Sequence, residues 1–240
     1  IVSAIGQGLS WLVSWRYGAQ SVARKFMLAI CVSAVPWSAS AESVTIVAMG
    51  DSLTQGYGLV PDVGFVPQLQ RWLTDQGADV ALRNAGVSGD TTAGGLARVD
   101  WSLESDVDAM ILALGANDVL RGIAPEVARA NLSGILDAAE ARDLPVLLVG
   151  VVAPANYGPD YKDAFDGMYP DLAQAYGTLY FEDFLYGVTS LPDRAAALAQ
   201  YIQPDGLHPN ADGVALIVEA MGPSVMDLVE RAQKTEKPGN

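Results

Sequence analysis

The chain has 240 residues, half of them hydrophobic, and a formal net charge of −14. That length and apolar content suit one globular domain with a sizeable core, while the excess of acid repels polyanions and argues against nucleic acid as a partner. Cys31 is the only cysteine and His208 the only histidine; a disulfide framework is excluded, a transition-metal site would rest almost wholly on carboxylates, and no metal or cofactor is expected.

Residues 1–41 hold Arg16, Arg24 and Lys25 but no acidic side chain. Arg24-Lys25 followed by the apolar stretch Phe26 to Trp37 and by Ala39-Ser40-Ala41 reads as an export signal cleaved before Glu42. The uncharged runs Ile1 to Trp15 and Phe26 to Ala41 fall short of the roughly 20 apolar residues of a spanning helix, so stable membrane insertion is not expected. A lipoprotein signal at Cys31 is disfavoured by bulky Ile30. Removal of this segment leaves 199 residues at a net charge of −17, periplasmic or secreted. The expected organisation is an N-terminal signal or extension over 1–41, one globular domain over 42–233 and a frayed polar tail over 234–240.

From Val44 the chain alternates short aliphatic runs with segments of helical period. Val44 to Met49 reads as a strand. Phe65, Leu69, Trp72, Leu73 and Gln76 follow at helical spacing. Val80 to Asn84 predicts a second strand, Thr92 to Trp101 a short helix and Ala109 to Leu114 a third strand. Pro125 opens a helix with the apolar stripe Ala128, Leu132, Ile135, Leu136 and Ala139. Val146 to Val151 is the fourth strand. Tyr157, Tyr161, Phe165 and Tyr169 recur every four residues before another helical turn, and Thr178 to Phe181 is a weaker fifth strand. A helix over Arg194 to Tyr201 and a last one from Ala211, kinked at Gly222-Pro223, complete the series. Such alternation implies a parallel sheet covered on both faces, with ligands bound beyond the carboxyl ends of the strands.

Four segments carry candidate chemistry. Gly50-Asp51-Ser52-Leu53 follows the first strand and places a serine hydroxyl on a tight turn, with its N–H near a helix start; alone, it also reads as a helix cap. A phosphate loop is disfavoured, because no Gly-Lys-Ser/Thr end is present. Asn84 to Thr92 follows the second strand, and Gly89 there can bring a bare N–H close to a ligand, with Asp90 or Thr91 capping the next helix. Leu114-Gly115-Ala116-Asn117-Asp118 follows the third strand, with Asn117 as a side-chain donor. Each of these two would pass as a turn by itself. Asp205-Gly206-Leu207-His208-Pro209-Asn210 precedes the last helix. Three residues apart on a turn, Asp205 can hold Nδ1–H of His208 and leave Nε2 free to take a serine proton.

Together these four segments resemble the four conserved blocks of the SGNH (GDSL) hydrolase family, whose letters stand here as Ser52, Gly89, Asn117 and His208; GDSLTQGYG, NAGVSGDTTAGGLARVDW, LGANDVLRG, DGLHPN and a fifth stretch, PANYGPDYKDAFDGMYPDLA, carry the likeness further. The resemblance is to its multifunctional thioesterase/protease/lysophospholipase and arylesterase branch. Ala116 stands where some relatives carry glycine. The resemblance implies a three-layer α/β/α fold with a flavodoxin-like, doubly wound five-stranded parallel sheet. It also implies a serine esterase with Ser52, Asp205 and His208 as catalytic residues and Ser52, Gly89 and Asn117 as the oxyanion hole. Asp51 is given a structural role. Substrates implied are small or lipid-like: acyl and aryl esters, with thioesters and lysophospholipids as further candidates. Tyr157 is the candidate wall of an acyl pocket, although core packing is the default for the aromatic series. Two rival readings are a carbohydrate O-acetylesterase, which would differ only in its pocket, and a non-catalytic binding domain, which the intact set of Ser52, Asp205 and His208 argues against.

Overall fold

A computed structural model describes residues 43–235. The expected export segment, and all but the first two residues of the expected tail, lie outside them. Five strands, β1 (Val44–Gly50), β2 (Val80–Gly86), β3 (Ala109–Ala113), β4 (Val146–Val149) and β5 (Leu179–Phe181), form one parallel sheet in the order β2-β1-β3-β4-β5. This is the flavodoxin-like doubly wound order. Connections from β1 run one way along the sheet and those from β3 the other, so the crevice between β1 and β3 is the topological switch point.

Alternation along β1 divides the core. Val44, Ile46 and Ala48 face one layer, Val47 and Met49 the other, and these five are 0–2% exposed. The first layer is built by α2 (Phe65–Asp75), α7 (Tyr186–Thr189), α8 (Arg194–Tyr201) and α9 (Ala211–Thr235). The second is built by α3 (Thr92–Ser102), α5 (Pro125–Glu140) and α6 (Pro159–Tyr176). Of the series read over α2, Phe65, Leu69 and Leu73 are buried, Trp72 is partly buried and Gln76 is exposed at the helix end, whereas the α5 stripe of Ala128, Leu132, Ile135, Leu136 and Ala139 is buried throughout. Each Phe, Leu or Ile so buried contributes about 1.5–3 kcal/mol, and each Ala less.

The aromatic series departs from the sequence reading. Expected before a helical turn, Tyr161, Phe165 and Tyr169 lie instead within the 18-residue α6, opened by Pro159 and still helical through Pro170. The last helix runs from Ala211 to Thr235 with Pro223 inside it, and Gly222 accommodates Trp72: a Cβ there would lie 2.6 Å from the indole ring. The helices α1 (Ser52–Gln55), α4 (Ala116–Leu120) and α7 escape a reading by periodicity, since four or five residues barely complete one turn. Among the described residues no helix is long and apolar enough to cross a membrane.

Candidate active site

The strands β1, β2 and β3 end level: Gly50 pairs with Gly86 on one side and Ala113 on the other. Small residues are needed here because the backbone turns sharply over this edge. A Cβ on Gly50 would overlap the Thr54 side chain, and one on Gly86 would overlap the backbone N of Gln55. Asp51 caps α1 through its Oδ1, which accepts the Leu53 N–H at 3.0 Å. Ser52 is the first residue of that helix and its N–H has no acceptor among the described residues.

The histidine arrives from the far end of the chain. After α8 the chain folds back on itself: Ile202 bridges Pro209, and Gln203 N–H donates to His208 O at 2.7 Å. The Gln203 amide also donates to Pro209 O and to Tyr57 O, each at 2.9 Å, tying this loop to the segment after α1. His208 Nε2 lies 2.8 Å from Ser52 Oγ, and Nδ1 lies 2.6 Å from Asp205 Oδ2. Asp205 Oδ1 accepts the N–H groups of Leu207 and His208 at 3.0 and 3.1 Å. The Leu207 N–H, the imidazole and the His208 N–H hold the Asp205 carboxyl down at about 2. An ionised Asp205 fixes the proton of neutral His208 on Nδ1, which leaves the Nε2 lone pair facing the serine. The Tyr57 ring packs on the imidazole with centroids 4.7 Å apart.

Gly89 sits in a turn closed by Asp90 N–H donating to Val87 O at 3.0 Å, with φ +84°. That conformation favours glycine, and the Gly89 N–H has no acceptor among the described residues. Asn117 stands in α4, entered through Gly115 at φ +127°, where a side chain would run into the Tyr169 hydroxyl. Its Nδ2 approaches Asp51 Oδ2 only at 3.4 Å, a long contact that leaves the amide available to another acceptor. The adjacent Asp118 is fully buried and fixes α4 to the start of α3, accepting from Thr92 N–H at 2.8 Å and Thr92 Oγ1 at 2.6 Å. Burial raises the Asp51 carboxyl to about 6, against the pull of the Leu53 N–H, His208 and the Asn117 amide.

Ser52, Gly89, Asn117 and His208 all line one cleft of about 380 Å³, beside apolar Leu120, Val151, Val152, Pro154, Phe184 and Leu185. The wall after β4 is therefore Val151, Val152 and Pro154. Tyr157 is outside the lining: it is 43% exposed, with its ring against Tyr161 at a centroid distance of 4.9 Å. Sequence reading did not single out Tyr57, Leu120, Val152 or Leu185. The fourth strand ends at Val149 rather than at Val151, which frees Val151 and Val152 to line the cleft beyond the strand end, where ligands sit in such sheets, while Tyr157 lies three residues past Pro154.

Residues 48–216 match the model of the GDSL-like lipase/acylhydrolase family. The chain is 35% identical over 207 residues to the esterase TesA of Pseudomonas aeruginosa, covering 86% of this chain and all of that protein. It is 33% identical over 192 residues to the thioesterase 1/protease 1/lysophospholipase L1 of Escherichia coli, covering 79% and 87%. The structure resembles that of AlinE4, an esterase of the SGNH-hydrolase family, with a TM-score of 0.63 and 43% identity over 78% of this chain and 96% of that one.

Proposed function

The chain belongs to the GDSL-like lipase/acylhydrolase family and is a serine esterase, and from that premise we propose that Ser52 is its nucleophile, His208 its general base and Asp205 the carboxylate that orients the base. The observation carrying this reading is the continuous hydrogen-bonded line from Ser52 Oγ to His208 Nε2 at 2.8 Å and from His208 Nδ1 to Asp205 at 2.6 Å. Ser52 Oγ attacks the acyl carbonyl while His208 takes its proton. The imidazolium, stabilised by Asp205, then returns a proton to the leaving alcohol or thiol. Water, deprotonated by the same imidazole, releases the acid from the acyl-enzyme. The N–H groups of Ser52 and Gly89 and the Asn117 amide hold the oxyanion; loss of one such donor lowers kcat by about 10²- to 10³-fold.

The apolar side chains of the cleft support acyl and aryl esters of short to medium chain, with thioesters and lysophospholipids as further substrates. They argue against acetylated sugars, whose hydroxyl groups would meet Leu120, Val151 and Val152 without partners. The composition of residues 24–41 supports export to the periplasm or beyond. One experiment addresses both readings: treatment of protein expressed in a Gram-negative host with a fluorophosphonate, followed by intact mass. A single adduct on a chain beginning at Glu42 is expected, and none on Ser52→Ala. An adduct retained by Ser52→Ala would refute the nucleophile, and an uncleaved chain would refute the signal. With p-nitrophenyl esters, activity should exceed that on acetylated sugars; the reverse order would favour the O-acetylesterase.

A further inference from the structure

We propose that Arg98 is a positioning residue for acyl transfer, a single guanidinium that sets the spacing between the turn carrying Ser52 and the turn carrying Gly89. The proposal rests on the assignment of Ser52 and Gly89 made above.

Arg98 lies in the middle of α3, and its side chain is only 18% exposed. Its Nε donates to Asp90 Oδ2 at 2.7 Å, one of its terminal nitrogens to Gly50 O at 3.0 Å, and the other to Ser102 Oγ at 3.4 Å. Gly50 is two residues before Ser52, and Asp90 is one residue after Gly89. One planar fork therefore joins the backbone entering the nucleophile to the residue leaving the oxyanion turn. The Gly50 carbonyl also accepts Val87 N–H at 3.0 Å, so the first residue of the Gly89 turn and Arg98 share one oxygen on the backbone that leads into Ser52. Room for the Asp90 carboxylate is reserved by a glycine: a Cβ on Gly94 would lie 2.6 Å from Asp90 Oδ1.

An oxyanion hole works only if its N–H groups converge on one oxygen at about 2.7–3.1 Å, so a few tenths of an ångström between the two turns matter directly. A half-buried ion pair with a forked donor is suited to fixing such a distance, because the guanidinium plane dictates both bond directions at once. Lysine would retain the charge without that fork. Arg98 touches no reacting atom; it acts through Gly50 and Asp90.

The test compares wild type, Arg98→Ala, Arg98→Lys and Asp90→Asn on p-nitrophenyl butyrate, with active-site titration by a fluorophosphonate and a melting curve for each. In Arg98→Ala, kcat per titrated site should fall about 10- to 100-fold, below the loss of a whole oxyanion donor, with KM within about threefold. The rate constant for phosphonylation of Ser52 should fall in parallel. Arg98→Lys should restore stability more fully than kcat. Asp90→Asn, which keeps shape and removes only the charge, should lose a smaller part of kcat and provides the reading if Arg98→Ala does not fold. Wild-type kcat per titrated site in Arg98→Lys and Asp90→Asn would overturn the proposal, as would a loss that disappears on correction for active-site titre. Failure of wild type to be labelled at Ser52 would instead overturn the nucleophile assignment, so the two failures are distinguishable.

Discussion

Two carboxylates near Ser52 and His208 sit in opposite environments. Asp205 is partly exposed and held by N–H donors at about 2, so it remains ionised throughout the neutral range. Its stabilising contribution is complete above the ordinary aspartate value and is lost only as pH falls towards 2. Asp51 is 1% exposed, and burial lifts it from 3.8 to about 6. The folded chain therefore binds this proton more tightly than the unfolded chain does, and stability attributable to Asp51 declines as pH rises from about 4 to 6. Two pKa units correspond to about 3 kcal/mol. Asp51→Asn, which keeps an acceptor for the Leu53 N–H, should therefore melt higher than wild type at pH 7, with the difference vanishing near pH 4. On the proposed mechanism the same variant should also be slower, because Asp51 Oδ2 accepts from the Asn117 amide at 3.4 Å and Asn would set a donor against it. A melting difference independent of pH between 4 and 7 would contradict the buried-charge account.

At the scale of elements, the site is made where three strands end together and four chain segments cross within a few ångströms. Gly86 is the sharpest instance, since any side chain there would strike the Gln55 backbone at the end of α1. Gly86→Ala should displace α1, lowering stability by about 1–3 kcal/mol and kcat more than the fraction unfolded explains. Circular dichroism melting with kinetics per titrated site measures both, and unchanged values would show that this edge has slack. The strands were legible because aliphatic runs such as Val44 to Met49 and Ala109 to Leu114 are buried on both faces, and α2 and α5 because their stripes repeat. What escaped was either too short to repeat, as α1 and α4 are, or visible only after folding. Leu120, Val151 and Val152 have nothing in common along the chain, yet they share one cleft. Arg98 looks like an ordinary polar residue of a helix until its fork is seen to span two loops.

Over the whole molecule the dominant property is negative charge, −14 on the full chain. Repulsion of this kind acts on encounter and is screened over about 8 Å at physiological ionic strength. KM for an anionic acyl-CoA thioester should consequently fall as salt is raised from about 10 to 150 mM, while KM for a neutral p-nitrophenyl ester should stay flat. Equal salt responses would mean that a local cation such as Arg121, which holds Gly89 O at 2.7 Å, neutralises the approach. The meeting of Ser52 with His208 could be expected from motif order and sheet topology, but not its distance. That contact closes a separation of 156 residues. On the proposed mechanism a ribosome must therefore add 156 residues beyond the serine before hydrolysis becomes possible: the nascent polypeptide emerges carrying a harmless alcohol, and the imidazole that arms it is made much later.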